Sequence, residues 1–378
     1  MLQAKLRSYA IRKLTVQLGC IEDILSRLGC QVCRLVLQIM DKYPILPSTP
    51  RDSSLGPACF LLPGRNPETL IVRYGDRDIG YLGLRYNLRL SSSMLSTQVD
   101  INSVNGLIHT CCSSHDTCLA QSSQTLEKIF LVDLRKKNIV AAVTCYRYVS
   151  LSYVAGRIPI FQMTQANKEH LLLDNSLDNI WGSLSNVFLD AMAFVERLGE
   201  RYIWIDSLCI TQDNPSEKHQ QISRMDRIYQ CAYLTLAVLS TAGADEIIPG
   251  VRKQSRPPLV GVARIDHTDL GNQFLLSYPP HLGLLLDMLP YETRGWTMQE
   301  RLLSTRCVYF TEHSSYFHCR EGLIAEFQWD PIILASQLES HKREILEIGD
   351  IRSLETPEAL ERESSLNPLT EVRSIQAI

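Results

Sequence analysis

The sequence predicts an α/β fold: a mostly parallel sheet with helices on both faces, joined to an N-terminal α+β extension. Three observations point there. Residues 202–205 (YIWI) are apolar at every position, as a strand buried between two layers must be, and the run stops abruptly at Asp206 and Ser207. Next, Asn214, Pro215 and Glu217 supply an N-cap, a first-turn proline and a first-turn acid. A stripe of Ile222, Met225, Ile228 and Tyr229 then leads to a second apolar strand at 233–239. Finally, Phe188, Ala191, Met192, Val195 and Leu198 recur at helical spacing ahead of Gly199. They predict a crossover helix over 187–198 between a strand at 148–153 and the one at 202. Alternation of strand and helix in this order is the pattern of a parallel sheet with covered faces.

With 378 residues, 45% of them hydrophobic, the chain can bury a large core in two domains or in one with appendages. Its formal net charge of -3, with acids and bases interspersed, gives no electrostatic footprint for nucleic acid or an anionic membrane. No apolar run approaches the roughly 18 residues that span a bilayer, and no secretory signal pattern is evident, so the expectation is a soluble cytoplasmic protein. Twelve cysteines in such a setting read as reduced thiols, a few of them candidate metal ligands.

Along the chain, residues 1–43 read as a helical segment. Lys5, Arg7, Arg12 and Lys13 suggest a basic surface helix over 1–18, and an apolar stripe broken at Gly29 suggests a docking helix or helix pair over 21–40. Prolines 44, 47, 50, 57, 63 and 67 make 44–68 a linker or wrapping arm. Residues 69–145 read as a small β-rich extension, with strict alternation from Tyr81 to Leu90 and a hairpin at 129–133 and 139–144. The main domain is expected over 146–330, irregular between 240 and 291, with a helix at 296–303 and a hairpin at 307–310 and 316–319. A C-terminal helix and loose tail over 331–378 complete the reading.

Ligands of open α/β sheets bind at the carboxyl ends of strands, which places Asp206, Ser207 and Asp213 on the expected functional edge; a turn-capping role for Asp206 is the alternative. Trp296 and Glu300, four residues apart, share a helix face and set a carboxylate beside an aromatic plane suited to a base or ribose. A packed indole, with the glutamate paired to Arg301 or Arg294, is the plainer reading. Cys111, His115 and Cys118 fall on one face if 105–121 is helical, and with Cys30 or Cys33 they would complete four zinc ligands; core packing without metal is the alternative. Cys209 has no neighbouring histidine in sequence and reads as a small buried thiol rather than a nucleophile.

Four stretches, YVSLSYVAG (148–156), YIWIDSLCITQD (202–213), IYQCAYLTLAV (228–238) and RGWTMQERLLSTR (294–306), together resemble the blocks of the HET (heterokaryon incompatibility) domain of filamentous fungi, in the family's order. The first block departs from the family by carrying Ala155 where tryptophan is usual. The resemblance implies a TIR-like (flavodoxin-like) sheet and intracellular signalling in nonself recognition. Programmed cell death would follow from self-association or from meeting a protein partner. Because enzymatic TIR domains cleave the nicotinamide bond of NAD with a helix-borne glutamate, it also implies Glu300 as a catalytic carboxylate. Asp206 would stand beside it, Trp296, Ser207, Asp213 and Arg294 would line a nucleotide pocket, and NAD would be the candidate substrate.

Overall fold

The structure, a computed structural model, describes residues 15–41, 58–63, 69–86, 96–119, 127–258, 260–268, 271–279, 282–286, 289, 291 and 300–326. On the N-terminal side lie β1 (Val16–Gly19), α1 (Ile21–Leu25), α2 (Gln31–Asp41), β2 (Cys59–Pro63), β3 (Thr69–Tyr74) and β4 (Arg77–Tyr86). The stripe over 21–40 is thus a helix pair divided near Gly29. Two expectations are corrected. Residues 16–19 form a strand where a basic helix was expected, because Val16 and Leu18 face inward and Gln17 outward. Residues 59–63 form a strand inside the expected linker; Cys59 and Leu61 are buried and Pro63 is its last residue, where a missing N–H is tolerated.

Next come α3 (Ile101–Ser114), whose first amides at Asn102 and Ser103 donate to the Asp100 carboxylate, then α4 (Asp116–Leu119), β5 (Lys128–Asp133), β6 (Asn138–Val143) and β7 (Val149–Ser152). After these follow α5 (Lys168–Leu171), α6 (Asn186–Arg197), β8 (Tyr202–Trp204), α7 (Asp206–Cys209), α8 (Pro215–Ile222), α9 (Met225–Cys231) and β9 (Leu234–Val238). Asn214 caps α8 by accepting from the Glu217 amide at 3.2 Å, as its sequence context suggests. The helix expected over 215–229 is broken at Ser223 and Arg224. The remaining elements are β10 (Gly261–Thr268), β11 (Gly271–Ser277), α10 (Leu282–Leu286), a helical segment at 300–303, β12 (Arg306–Phe310), β13 (Ser315–Cys319) and β14 (Gly322–Ala325). The expected C-terminal helix after 331 lies outside the described residues.

Two sheets result. The first, in the order β1-β2-β3-β4-β11-β10, is antiparallel throughout, and the buried face of α2 (Val32, Leu35, Val36, Ile39) packs with it. Gly80 permits the close approach, since a Cβ there would stand 2.5 Å from Ile39 Cγ2. Strands β10 and β11 correct the expectation of irregular structure over 240–291: the polar residues Arg264, Asp266, His267 and Gln273 hide their alternation, and a register shift falls between Arg264 and Asp266.

The second sheet has eight strands in the order β14-β13-β12-β9-β7-β8-β5-β6. Only β8, β7, β9 and β12 run parallel, and the antiparallel hairpins β5–β6 and β13–β14 extend them on either side. The sheet is therefore mixed, not mostly parallel as expected. Turns of a few residues force antiparallel partners, whereas parallel neighbours need the long crossovers found only between 149 and 306. Taken alone, the parallel strands follow the doubly wound order 2-1-3-4, with a switch point between β7 and β9.

Register assigns the faces. Val149, Leu151, Ile203, Leu234, Leu236, Val308 and Phe310 share one face, where Phe194 of α6 meets Phe310 edge-on with centroids 5.0 Å apart. Ser150, Ser152, Trp204, Thr235, Ala237, Cys307 and Tyr309 share the other, where Trp204 meets Tyr229 of α9 at 5.5 Å. Along that second face the Ser150 and Thr235 hydroxyls lie 2.8 Å apart, and Thr235 meets the Ser304 hydroxyl at 2.5 Å.

Two buried ion pairs generate predictions. Both Nη atoms of Arg256 reach the Glu326 carboxylate at 2.6 Å, and the side chains are 0% and 5% exposed. Glu326→Gln strands a buried guanidinium, so the urea midpoint should fall by the equivalent of about 3–5 kcal/mol. Burial opposes the charge of Asp133, yet the Arg201 fork and the Lys136 and Arg135 amides prevail and hold its carboxyl below the usual carboxylate range. Its stabilisation is complete above the unfolded value near about pH 4 and is lost as pH falls through the lowered folded value. Stability measured against pH should therefore show a flatter acid limb in Asp133→Asn than in the parent.

Candidate functional site

Two acids are held at the carboxyl end of β7. Asp206 opens α7 directly after β8, and its Oδ1 accepts from the Ser207 amide at 2.7 Å and from the Tyr153 hydroxyl at 2.8 Å. It caps the turn that follows β8, as the plainer sequence reading has it. Glu300 is the first described residue of the helical segment at 300–303 on the serine-bearing face, and its carboxylate accepts from the Ser152 hydroxyl, which also meets the Tyr291 hydroxyl. Two successive residues at the end of β7, Ser152 and Tyr153, thereby hold the two carboxylates. Asp206 is partly exposed and Glu300 is 6% exposed.

Tyr229 reports their shared neighbourhood. Burial first, then the negative fields of Glu300 and Asp206, then Tyr291 and Tyr153, raise its phenol far above the ordinary value. It stays neutral and donates to the Leu151 carbonyl at 3.1 Å. Around the same strand ends, the hydroxyl oxygens of Ser207, Ser240 and Thr241 are shielded from solvent and have no hydrogen-bond partner among the described residues. Shielded hydroxyls are normally paired, so this rim holds unspent hydrogen-bonding capacity.

Its loops are tightly joined. Gly156 has φ +80°, and a Cβ there would stand 2.6 Å from the Gly243 Cα; the Ala244 amide donates to the Ala155 carbonyl at 3.2 Å. Asp213, expected on this edge, is exposed and accepts the Gln165 amide at 2.8 Å, so its carboxylate pins the strap that also joins Met163 N–H to the Ser207 carbonyl. Trp296 and Arg294 lie outside the described residues. Cys209 is buried, and burial pushes its thiol up to about 12, which fits an inert side chain.

Sequence reasoning missed Ser152, Tyr153, Tyr229 and Tyr291. The signal was available for the first: serines at 150 and 152 alternate with apolar residues in a strand buried at every position.

A second cluster sits away from this rim. Cys111 in α3, His115 at its end, Cys118 in α4 and Cys319 at the end of β13 hold their donor atoms within 4.8 Å of one another. The fourth member is Cys319, not Cys30 or Cys33. Those two lie in the helix pair against the six-stranded sheet, where the Cys33 amide donates to Cys30 Sγ at 3.5 Å.

Residues 148–300 match the family model described as heterokaryon incompatibility protein (HET). The chain carries a HET domain. Its matched span opens on Tyr148, just ahead of β7, and closes on Glu300, so both acids and the Ser152–Tyr153 pair that holds them fall inside the HET domain. No curated protein and no solved structure matches the chain.

The Gly156 contact is testable. Gly156→Ala adds positive-φ strain and a backbone clash, and should lower stability by about 1–3 kcal/mol in urea unfolding. Gly106→Ala, in a helix where nothing lies within 4 Å of the added Cβ, should raise it by about 0.5–1 kcal/mol.

Proposed function

We propose that this HET-domain protein acts in intracellular nonself recognition, and that its HET domain triggers programmed cell death on self-association or on engaging a protein partner. The observation that carries the reading is the placement of Asp206 and Glu300 at the end of β7, beside shielded hydroxyls that have no partner among the described residues. Such an arrangement suits a site that acts on, or is switched by, a ligand at the sheet rim.

The same placement favours a second, compatible reading: a TIR-like NAD nucleosidase. In that chemistry the bond between the ribose anomeric carbon and nicotinamide breaks, and nicotinamide leaves with the electron pair. Water then supplies the hydroxyl, giving ADP-ribose and a proton. Glu300 is the carboxylate that stabilises the oxocarbenium-like transition state, and Ser152 orients it.

Inducible expression in a filamentous fungus, read as growth arrest, tests the first reading. Glu300→Gln and Asp206→Asn, matched to the parent for abundance and unfolding midpoint, should abolish arrest; arrest of parental strength in both variants would remove the rim from the mechanism. Purified protein, dispersed and forcibly clustered, incubated with NAD and followed for nicotinamide, tests the second. Release from the clustered parent should drop by about 100-fold in Glu300→Gln. Arrest without any release would retain signalling and discard the nucleosidase.

A further inference from the structure

We propose that Cys111, His115, Cys118 and Cys319 bind one zinc ion in a closed four-coordinate site that clamps α3 and α4 to the β13–β14 hairpin. Three donors lie close together in sequence and the fourth is remote: His115 and Cys319 are 204 positions apart, yet Cys319 Sγ lies 3.4 Å from His115 Nδ1. With Zn–S near 2.3 Å and Zn–N near 2.1 Å, a tetrahedron has edges of roughly 3.5–3.8 Å. Mutual separations within 4.8 Å need only small adjustments to reach that figure. All three cysteines are buried and the histidine is partly buried, so the protein supplies every ligand and no position is left open for substrate. Thiolate and imidazole donors select zinc over calcium or magnesium, which require oxygen.

Charge supplies an independent argument. Arg306 is 5% exposed; its Nε donates to Cys111 Sγ at 3.2 Å and its Nη1 to the Tyr233 carbonyl at 3.2 Å, and no carboxylate pairs with it among the described residues. A buried guanidinium without an anion is costly. Three thiolates and a neutral imidazole around Zn²⁺ carry a net charge of -1, which matches Arg306 directly; binding releases the three thiol protons to solvent.

Local structure is built to the same end. His115 has extended backbone (φ -104°, ψ 98°) that breaks the helix between Cys111 and Cys118. Arg320 Nη1 donates to the Thr117 carbonyl at 3.0 Å and the Thr117 hydroxyl meets the Glu321 carboxylate, holding the two residues after Cys319 against α4.

The test uses the full chain, expressed without a histidine tag and purified without added metal or chelator. Elemental analysis should give about one zinc per chain, released when a mercurial blocks the thiols. Cys319→Ser should fall below about 0.2 equivalents, whereas Cys33→Ser, in the other core cluster, should keep the parental content. If Cys319→Ser does not fold, His115→Cys decides, since four thiolates still form a zinc site and its content should stay near about one equivalent. Parental protein below about 0.2 equivalents, both as purified and after incubation with zinc and gel filtration, overturns the proposal. So does unchanged zinc in folded Cys319→Ser.

Discussion

Small side chains on one face of the central strands are the constraint on which the rest of this molecule depends. Ser150 and Ser152 on β7, with Thr235 and Ala237 on β9, leave shallow ground where a buried parallel sheet usually presents branched hydrocarbon. Such ground admits polar groups from the neighbouring layer, and the hydroxyls then fix which groups those are. Thr235 meets Ser304, Ser304 donates to the Glu300 carbonyl at 2.6 Å, and Ser152 donates to the Glu300 carboxylate. Each such bond contributes only about 1 kcal/mol net, but leaving any partner buried and unmet costs more, so the chain enforces one placement of the 300–304 segment.

Topology then decides where the placement leads. In the order 2-1-3-4, successive crossovers from β7 leave in opposite directions, so the strand ends at the switch point are not roofed by one connection. The connection from β9 to β12 is unusual in that it contributes β10 and β11 to the six-stranded sheet before returning with Glu300. The two sheets are thus interleaved by the same chain segment.

The parallel core was readable because its signals are local. Buried runs, helix caps and a glycine stop place β7, α6, β8 and β9, and the start of α8, within a residue or two of their positions. What escaped depends on partners distant in sequence. The hairpins that make the sheet mixed look like any other strands until their neighbours are known, and β10 and β11 carry too many polar residues to announce a buried face. Asp206 and Glu300 were singled out as candidates, but the residues that hold them, Ser152 and Tyr153, were not, since a hydroxyl in a strand has a role only once the opposing group is in place. Cys319 escaped for the same reason: nothing in the residues around 319 records that α3 lies against it.

The span from Glu300 to Arg306 is where these threads meet. In seven residues it places a carboxylate at the end of β7, a hydroxyl on Thr235 and a guanidinium on Cys111. Polar contacts of this kind are directional, and three of them on one short segment leave little freedom to slide or rotate without breaking at least one. A charge held at Arg306 therefore has consequences at Glu300 that do not need a moving domain. If the cysteine cluster carries a net negative charge, Arg306 is seated and the segment is fixed at both ends.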